Sequence, residues 1–159
     1  IHVMKKILLA GILGTTFLVS CSTAKQAQAS RDDFYKLKGN WEVTSVDYEK
    51  GYKIKPFDEG ADAKCFVGSQ WNLTPNNNTG SYSLSGGGDC PTVTRAIKFD
   101  VNSEKQFSFK VIDAGVKAKN VTAGYVLDFQ NQTPTTFTLV QNVPFEGKIL
   151  KVYYNFTKK

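Results

Sequence analysis

Apolar and polar residues alternate with a period of two over most of the chain beyond residue 40. Ile97, Phe99 and Val101, for example, are separated by Lys98 and Asp100. This is the period of a β-strand with one buried and one exposed face, whereas the 3.6-residue period of an amphipathic helix is nearly absent. The alternation and the turn residues between segments predict eight strands, at residues 41–46, 66–73, 80–84, 97–101, 107–111, 121–129, 137–139 and 150–156. The pattern therefore indicates an all-β fold.

The short connections between these segments favour an antiparallel meander, in which consecutive strands pair. A closed barrel and a two-sheet sandwich are the two architectures that bury the apolar face of such a meander. We predict an eight-stranded antiparallel up-and-down barrel, because closure leaves no edge strand exposed. Eight strands enclose a space that side chains fill or that holds one small ligand. The longer connections, residues 51–64 and 113–120, are candidates for the loops around its mouth.

A different pattern occupies the N-terminus. Lys5 and Lys6 precede an uncharged apolar run, residues 7–19, which is shorter than the roughly 20 residues of a membrane-spanning helix. A basic segment followed by a short apolar run is typical of a secretory signal peptide. The run ends in LVSC, residues 18–21, which resembles the lipobox of bacterial lipoproteins. The resemblance implies cleavage before Cys21 and attachment of lipid to its thiol.

This interpretation divides the chain into three parts. Residues 1–20 are a lipoprotein signal peptide that is removed, residues 21–33 a lipidated flexible tether, and residues 34–159 one barrel domain. Several acyl chains hold a protein at a bilayer without a spanning segment, so the membrane is an expected partner. We expect the protein in the bacterial cell envelope, at the outer membrane. The alternative is a short buried helix with an unmodified thiol at Cys21.

The remaining cysteines are interpreted from this location. Lipidation of Cys21 leaves two of the three cysteines, Cys65 and Cys90. An exported protein meets oxidising conditions, so we predict a disulfide between them. Closing that loop is worth about 3.5 kcal/mol on the chain-entropy model. Two buried free thiols are the alternative.

The folded region opens with LKGNWEV, residues 37–43. Gly39 and Trp41 resemble the Gly-x-Trp signature on the first strand of lipocalins, and this implies that Trp41 closes the bottom of the barrel. In that family a basic residue near the end of the domain packs on this tryptophan, and Lys158 and Lys159 are the candidates here. With the lipobox ahead of it, the chain resembles a bacterial lipocalin-like lipoprotein.

Few of the residue types that catalysis requires remain after cleavage. The only histidine, His2, lies in the predicted signal peptide, so histidine-based triads and Cys/His zinc sites have no histidine to use. Asp58, Glu59 and Asp62 lie close in sequence but lack the spacing of an EF-hand, so a solvated acidic loop explains them better. We expect no enzyme activity, no cofactor and no metal.

Net charge gives no sign of a nucleic-acid partner. The formal charge of +6 falls to +4 when Lys5 and Lys6 leave with the signal peptide. The remaining lysines are scattered, whereas binding to nucleic acid requires a basic stripe with aromatic residues between.

Aromatic side chains are the remaining candidates for a binding site. Eight are predicted to face into the barrel: Trp71, Tyr82, Phe99, Phe107, Phe109, Tyr125, Phe137 and Tyr154. Ligand pockets are mostly apolar with a few polar groups, which the tyrosine hydroxyls would supply. We therefore predict a non-catalytic, lipid-anchored protein that binds or carries a small hydrophobic molecule. The alternative is a protein-interaction or structural envelope module whose barrel core is filled.

Overall fold

A computed structural model describes residues 20–159. The predicted signal peptide, up to residue 19, lies outside these residues. The side chains of residues 20–24, 26, 27, 29 and 58, that of Cys21 among them, are also outside the description. The helix and strands are α1 (Ser20–Tyr35), β1 (Gly39–Asp47), β2 (Gln70–Thr74), β3 (Thr79–Gly87), β4 (Cys90–Val101), β5 (Gln106–Ile112), β6 (Tyr125–Gln130), β7 (Thr136–Phe145) and β8 (Lys148–Lys158). Single 3₁₀ turns lie at Pro56–Asp58, Ala63–Phe66, Pro75–Asn77 and Ala118–Asn120. In this part of the chain no helix is both long and apolar enough to cross a membrane.

The eight strands form one closed, antiparallel, up-and-down barrel, which confirms the predicted fold and excludes the sandwich. Each strand pairs with the next along the chain, and β8 returns to pair with β1. The closing seam runs from Trp41 opposite Lys158 to Asp47 opposite Tyr153, with an irregularity between Val43 and Ser45. Closure satisfies the backbone of both terminal strands, so no open sheet edge is left.

The up-and-down order gives the barrel two distinct ends. We call one the closed end, where α1 meets β1 and where the connections 75–78, 102–105 and 131–135 lie. We call the other the mouth, formed by the connections 48–69, 88–89, 113–124 and 146–147. The two long connections that were predicted to surround a mouth therefore do lie at the same end.

Trp41 is buried at the closed end, with its indole nitrogen donating to the Leu37 carbonyl oxygen at 2.8 Å. The Lys158 ammonium lies 5.5 Å from the centre of the Trp41 ring, so Lys158 occupies the place expected for the basic residue. Gly39 has φ +133°, and a Cβ there would lie 3.2 Å from the Lys158 Cε. The glycine therefore gives the backbone a conformation that other residues rarely adopt, and it leaves room for the lysine stem.

The segment before the barrel differs from its prediction. Residues 21–33 are expected to be a flexible tether, whereas Ser20–Tyr35 forms α1. Alanine, glutamine and lysine favour helix even without an apolar face. The end of α1 is fixed to the closed end, because Gln132 donates to the Asp33 carbonyl oxygen at 2.9 Å and the rings of Phe34 and Phe99 lie 5.6 Å apart. The domain boundary at residue 34 stays a prediction.

Two predicted strands are shorter than the sequence pattern indicates. Residues 121–124 follow a 3₁₀ turn and β6 begins only at Tyr125, while Phe66 lies in another 3₁₀ turn ahead of β2. Residues 122–124 are exposed, so the alternation of apolar and polar residues in this segment does not correspond to a strand with a buried face. Phe66 is fully buried but reaches the core from a connection, not from a strand.

Candidate ligand-binding site

All eight aromatic side chains that were predicted to line the barrel lie on its inner face. Seven of them are at most 3% exposed, and Tyr125 is partly buried against the same core. Their rings pack on one another: Trp71 stacks on Tyr82 with ring centres 4.7 Å apart, and Phe99 stacks on Phe107 at 5.4 Å. The structure therefore brings the predicted set together as a continuous aromatic core.

This core has a lower and an upper half. At the closed end, Phe137 stacks on Phe156 at 4.4 Å, meets Trp41 at 4.7 Å and packs beside Phe129. Only strand residues contribute to that cluster. Toward the mouth, by contrast, the barrel wall contacts rings that arrive from the connection between β1 and β2. A ligand that enters from the mouth would meet this upper half first.

Phe57, from that connection, is inserted into the upper half of the barrel. Its ring is 5% exposed and lies 5.0–5.8 Å, centre to centre, from four other rings. Three of these belong to strands, namely Phe109, Tyr125 and Tyr154, and the fourth is Phe66 of the same connection. Phe57 thus occupies an aromatic chamber that the strands and Phe66 build.

The backbone at Phe57 is in the left-handed region, with φ 59° and ψ 30°. A residue with a Cβ pays about 1–2 kcal/mol for this conformation. The surrounding structure must supply that energy, because the strain persists only where other contacts hold the residue in place. Burial of the ring and the polar contacts that follow provide the compensation.

Glu59, two residues further on, is held by a charged hydrogen-bond network that we call the latch: Glu59, Arg95 and Tyr82. Arg95 of β4 donates from Nε to the Glu59 Oε1 at 2.9 Å and from a terminal nitrogen to Oε2 at 3.0 Å. The Tyr82 hydroxyl of β3 donates to the same Oε1. The Glu59 side chain is 3% exposed, and Arg95 is 39% exposed. A two-pronged guanidinium–carboxylate contact is among the strongest that side chains make.

The latch shifts the ionisation of its members. Burial raises the pKa of the Glu59 carboxyl, but hydrogen bonds from Arg95 and Tyr82 outweigh burial and hold that pKa below its usual value. Burial, followed by the hydrogen bond to Glu59, raises the pKa of the Tyr82 hydroxyl far above its usual value. The latch therefore contains an ionised carboxylate and a neutral phenol at neutral pH.

Two further contacts hold the same connection against the mouth. The Tyr48 hydroxyl donates to the Asp62 carboxylate at 2.9 Å, and burial together with this bond raises the Tyr48 pKa to about 12. A disulfide joins Cys65 to Cys90 at the start of β4, with the Cα atoms 5.4 Å apart. This confirms the predicted pairing. The disulfide attaches the second half of the connection to β4. Residues 49–61 have no such cross-link and are held by non-covalent contacts.

A cavity of about 330 Å³ lies at the mouth beside this connection. It is bounded by residues 51–55 on one side and by the β7–β8 hairpin on the other, including Gln141, Val143 and Phe145. Gln141 also accepts a hydrogen bond of 2.8 Å from the Tyr154 hydroxyl, whose ring contacts Phe57. Gln141 therefore lines the cavity and also bonds Tyr154, the residue whose ring packs against Phe57.

Sequence reasoning missed Phe57, Glu59 and Arg95 as functional candidates. The acidic loop was interpreted as solvated, yet Glu59 is buried and Asp62 accepts from Tyr48. A signal did exist: Arg95 falls in the apolar phase of β4, two residues before Ile97, and therefore points inward. Among the side chains that the structure describes, which do not include that of Asp58, no three carboxylate, cysteine or histidine groups are placed as metal ligands.

Comparisons with known proteins find similarity among solved structures only. No family model and no curated protein matches the chain. Among solved structures, an odorant-binding protein from bovine nasal mucosa is similar with a TM-score of 0.45 and 13% identity, over 79% of this chain and 72% of that one. The bovine odorant binding protein complexed with its natural ligand gives a TM-score of 0.46 and 13% identity, over 79% and 72%. A deswapped triple mutant of the bovine protein gives 0.45 and 13%, over 78% and 74%.

Proposed function

We propose that this protein is a non-catalytic carrier of a small apolar molecule, which binds in the upper half of the barrel where the ring of Phe57 now lies. The insertion of Phe57 carries the proposal. Three of the four rings around it belong to paired strands, but Phe57 itself belongs to a connection. The ring can therefore leave, and a ligand replace it, without breaking any strand pairing.

The energetics of this exchange are favourable for an apolar guest. A ligand of comparable size would recover the buried contacts that Phe57 gives up, at about 25 cal/mol per Å² of apolar surface. Departure of Phe57 also releases the cost of its left-handed backbone. The cavity beside residues 51–55 lies at the same end of the barrel, against the segment that carries Phe57. Residues 49–61 would act as the moving part, with the disulfide at Cys65 as its fixed end.

We also propose that lipid on Cys21 anchors the carrier to the bacterial outer membrane. The lipobox and the apolar run before it support this proposal. The position of α1 is compatible with it, because α1 ends at the closed end of the barrel, opposite the mouth. An anchor on that side would leave the mouth open to ligand.

A second candidate is a filled barrel that works through its outer surface. The close packing of the aromatic core favours it, and every buried nitrogen and oxygen of the described side chains has a hydrogen-bond partner. A core packed in this way is stable without a guest. The two candidates differ in whether the upper half of the barrel opens.

Uptake of a neutral apolar dye, N-phenyl-1-naphthylamine, distinguishes them. The test protein is the chain from residue 21 with Cys21→Ser, so that no attached lipid competes. We expect one dye per barrel, and about tenfold tighter binding for Phe57→Ala, because the ring no longer competes for the chamber. Fluorescence titration gives the affinity, and native mass spectrometry gives the stoichiometry.

Phe129→Ala is the matched control, because it removes an equally buried ring from the closed-end half. We expect a loss of stability of about 3–5 kcal/mol and unchanged dye affinity. If Phe129→Ala does not fold, Phe129→Leu replaces it. Folded wild-type and Phe57→Ala proteins that both exclude the dye would contradict the carrier proposal and support the filled barrel.

A further inference from the structure

Arg95 places a positive charge on the inner face of an aromatic barrel. It lies opposite Tyr82 in the pairing of β3 with β4, and cross-strand partners project to the same side of a sheet. Tyr82 is fully buried, stacks on Trp71 and contacts Phe66. The Arg95 side chain itself is 39% exposed, so its guanidinium reaches solvent while it also offers hydrogen-bond donors to the buried Glu59 carboxylate beside Tyr82. The barrel wall thus carries a site that favours an anion.

The anion that occupies this site is Glu59, which comes from the connection and not from the wall. The wall supplies three donors to a single carboxylate, two from the Arg95 guanidinium and one from the Tyr82 hydroxyl. A guanidinium fork matches the two oxygens of a carboxylate in spacing and plane. One guanidinium and one hydroxyl balance a single negative charge. The geometry fits a monocarboxylate better than a doubly charged phosphate.

The same short segment also supplies the apolar occupant. Phe57 and Glu59 are two residues apart, and both are held by the barrel interior, one by rings and one by the latch. Together they present an apolar group and a carboxylate to the wall, which is the chemistry of an amphiphilic acid. Resting on the proposed function, we propose that the ligand is an amphiphilic monocarboxylate. Its carboxylate replaces Glu59 on Arg95 and Tyr82, and its apolar tail replaces Phe57.

The exchange keeps the polar contacts of the wall satisfied throughout. Arg95 and Tyr82 give up one carboxylate and receive another, so the buried Tyr82 hydroxyl keeps an acceptor and Arg95 keeps a counter-charge. Glu59 gains hydration when it leaves the barrel, and the tail of the ligand gains burial. A neutral ligand with the same tail cannot replace the Glu59 carboxylate. Arg95 would then either keep Glu59 in the barrel, in competition with the ligand, or donate to water. The site should therefore select acids over neutral analogues of equal length.

The test compares dodecanoate with its neutral methyl ester in displacement of the bound dye from the chain described above. We expect the wild type to bind the acid about tenfold or more tightly than the ester, because only the acid supplies a carboxylate that can replace Glu59 on Arg95 and Tyr82. Arg95→Gln should bring the two affinities within about twofold and keep binding of the ester. Lys151→Gln, which removes an exposed positive charge from β8, should leave the preference unchanged.

Glu59 gives an independent readout, because the proposal makes it a competitor of the ligand. Glu59→Gln should raise the affinity for dodecanoate about fivefold while changing that for the ester less. If Arg95→Gln is poorly folded because it leaves Glu59 unpaired, the double variant Glu59→Gln/Arg95→Gln removes that charge. The double variant should fold and bind both ligands with similar affinity.

The outcomes separate this inference from the proposed function. Equal affinity of the wild type for acid and ester, or a preference that persists in folded Arg95→Gln, would overturn the inference and leave the carrier in place. Folded protein that binds neither the dye nor the two ligands would overturn both, whereas bound dye that neither ligand displaces would overturn the inference alone. Preference for the acid that depends on Arg95 and increases in Glu59→Gln would support both.

Discussion

Gly80 of β3 lies very close to atoms of the two neighbouring strands, β2 and β4. A Cβ at this position would lie 2.6 Å from the Asn72 backbone oxygen, 3.2 Å from a Leu73 methyl carbon and 3.3 Å from the Ile97 Cγ1. The first of these atoms is backbone and cannot move aside alone. We therefore expect Gly80→Ala to lower the free energy of unfolding by about 1–3 kcal/mol, measured by urea denaturation.

Gly124 is the matched control for this substitution. A Cβ there would lie 3.3 Å from the Phe109 backbone oxygen and 3.9 Å from the Lys110 Cβ, in an exposed segment. We expect Gly124→Ala to change the free energy of unfolding by less than about 1 kcal/mol. Equal losses in the two variants would show that the close approach at Gly80 has no special energetic weight.

The alternating strands could be predicted because, within each strand, the buried residues are largely the apolar ones and the exposed residues are largely the polar ones. In β5, Phe107 and Phe109 face the core while Ser108 lies between them, so residues adjacent in sequence carry the whole signal. The pairing of Cys65 with Cys90 could be predicted for a different reason, because the predicted lipidation of Cys21 leaves only these two cysteines. The prediction of the strands thus required no knowledge of their neighbours.

The connection between β1 and β2 could not be predicted in this way. Phe57 does not belong to an alternating apolar pattern. Glu59 pairs with Arg95 only because the fold brings together two positions that are 36 residues apart in sequence. Acidic residues near a glycine are usually solvated, so the local sequence favoured the wrong interpretation. The informative residue was Arg95, whose charge interrupts the apolar face of β4.

The connection also makes a prediction about pH. The pKa of Glu59 is lowered in the folded protein, so its stabilising effect is present above the unfolded value of about 4.3 and is lost as the pH falls through the lower folded value. Glu59→Gln should therefore be less stable than wild type at pH 7. The difference in free energy of unfolding should narrow as the pH falls below about 4, measured by urea denaturation at each pH.

Glu104→Gln is the control for this effect, because it removes an equal charge from an exposed turn at the closed end. We expect it to change stability at pH 7 by no more than about 0.5 kcal/mol. A gap between wild type and Glu59→Gln that stays constant from pH 7 to pH 3 would show that ionised Glu59 does not stabilise the latch.

At the scale of the whole molecule, the two ends of the barrel have separate tasks in the proposed function. The closed end carries α1 and the fixed contacts of Trp41, Lys158 and Gln132. The mouth carries the inserted segment with Phe57 and Glu59. Strands of a closed barrel connect the two ends rigidly, so motion of the inserted segment need not disturb the attachment of α1. An anchored protein could thus exchange ligand while remaining on the membrane.

The anchor itself is the last prediction. When the full chain is expressed in a bacterium supplied with labelled palmitate, we expect label on the protein and recovery in the membrane fraction. Cys21→Ser should lose the label and move to the soluble fraction, because no spanning helix was predicted for the apolar run and acyl chains would supply the attachment. The double variant Cys65→Ser/Cys90→Ser removes the other two thiols and should keep the label. Label that persists in Cys21→Ser would place the acyl group elsewhere, and its absence from the wild type would leave the barrel without the proposed anchor.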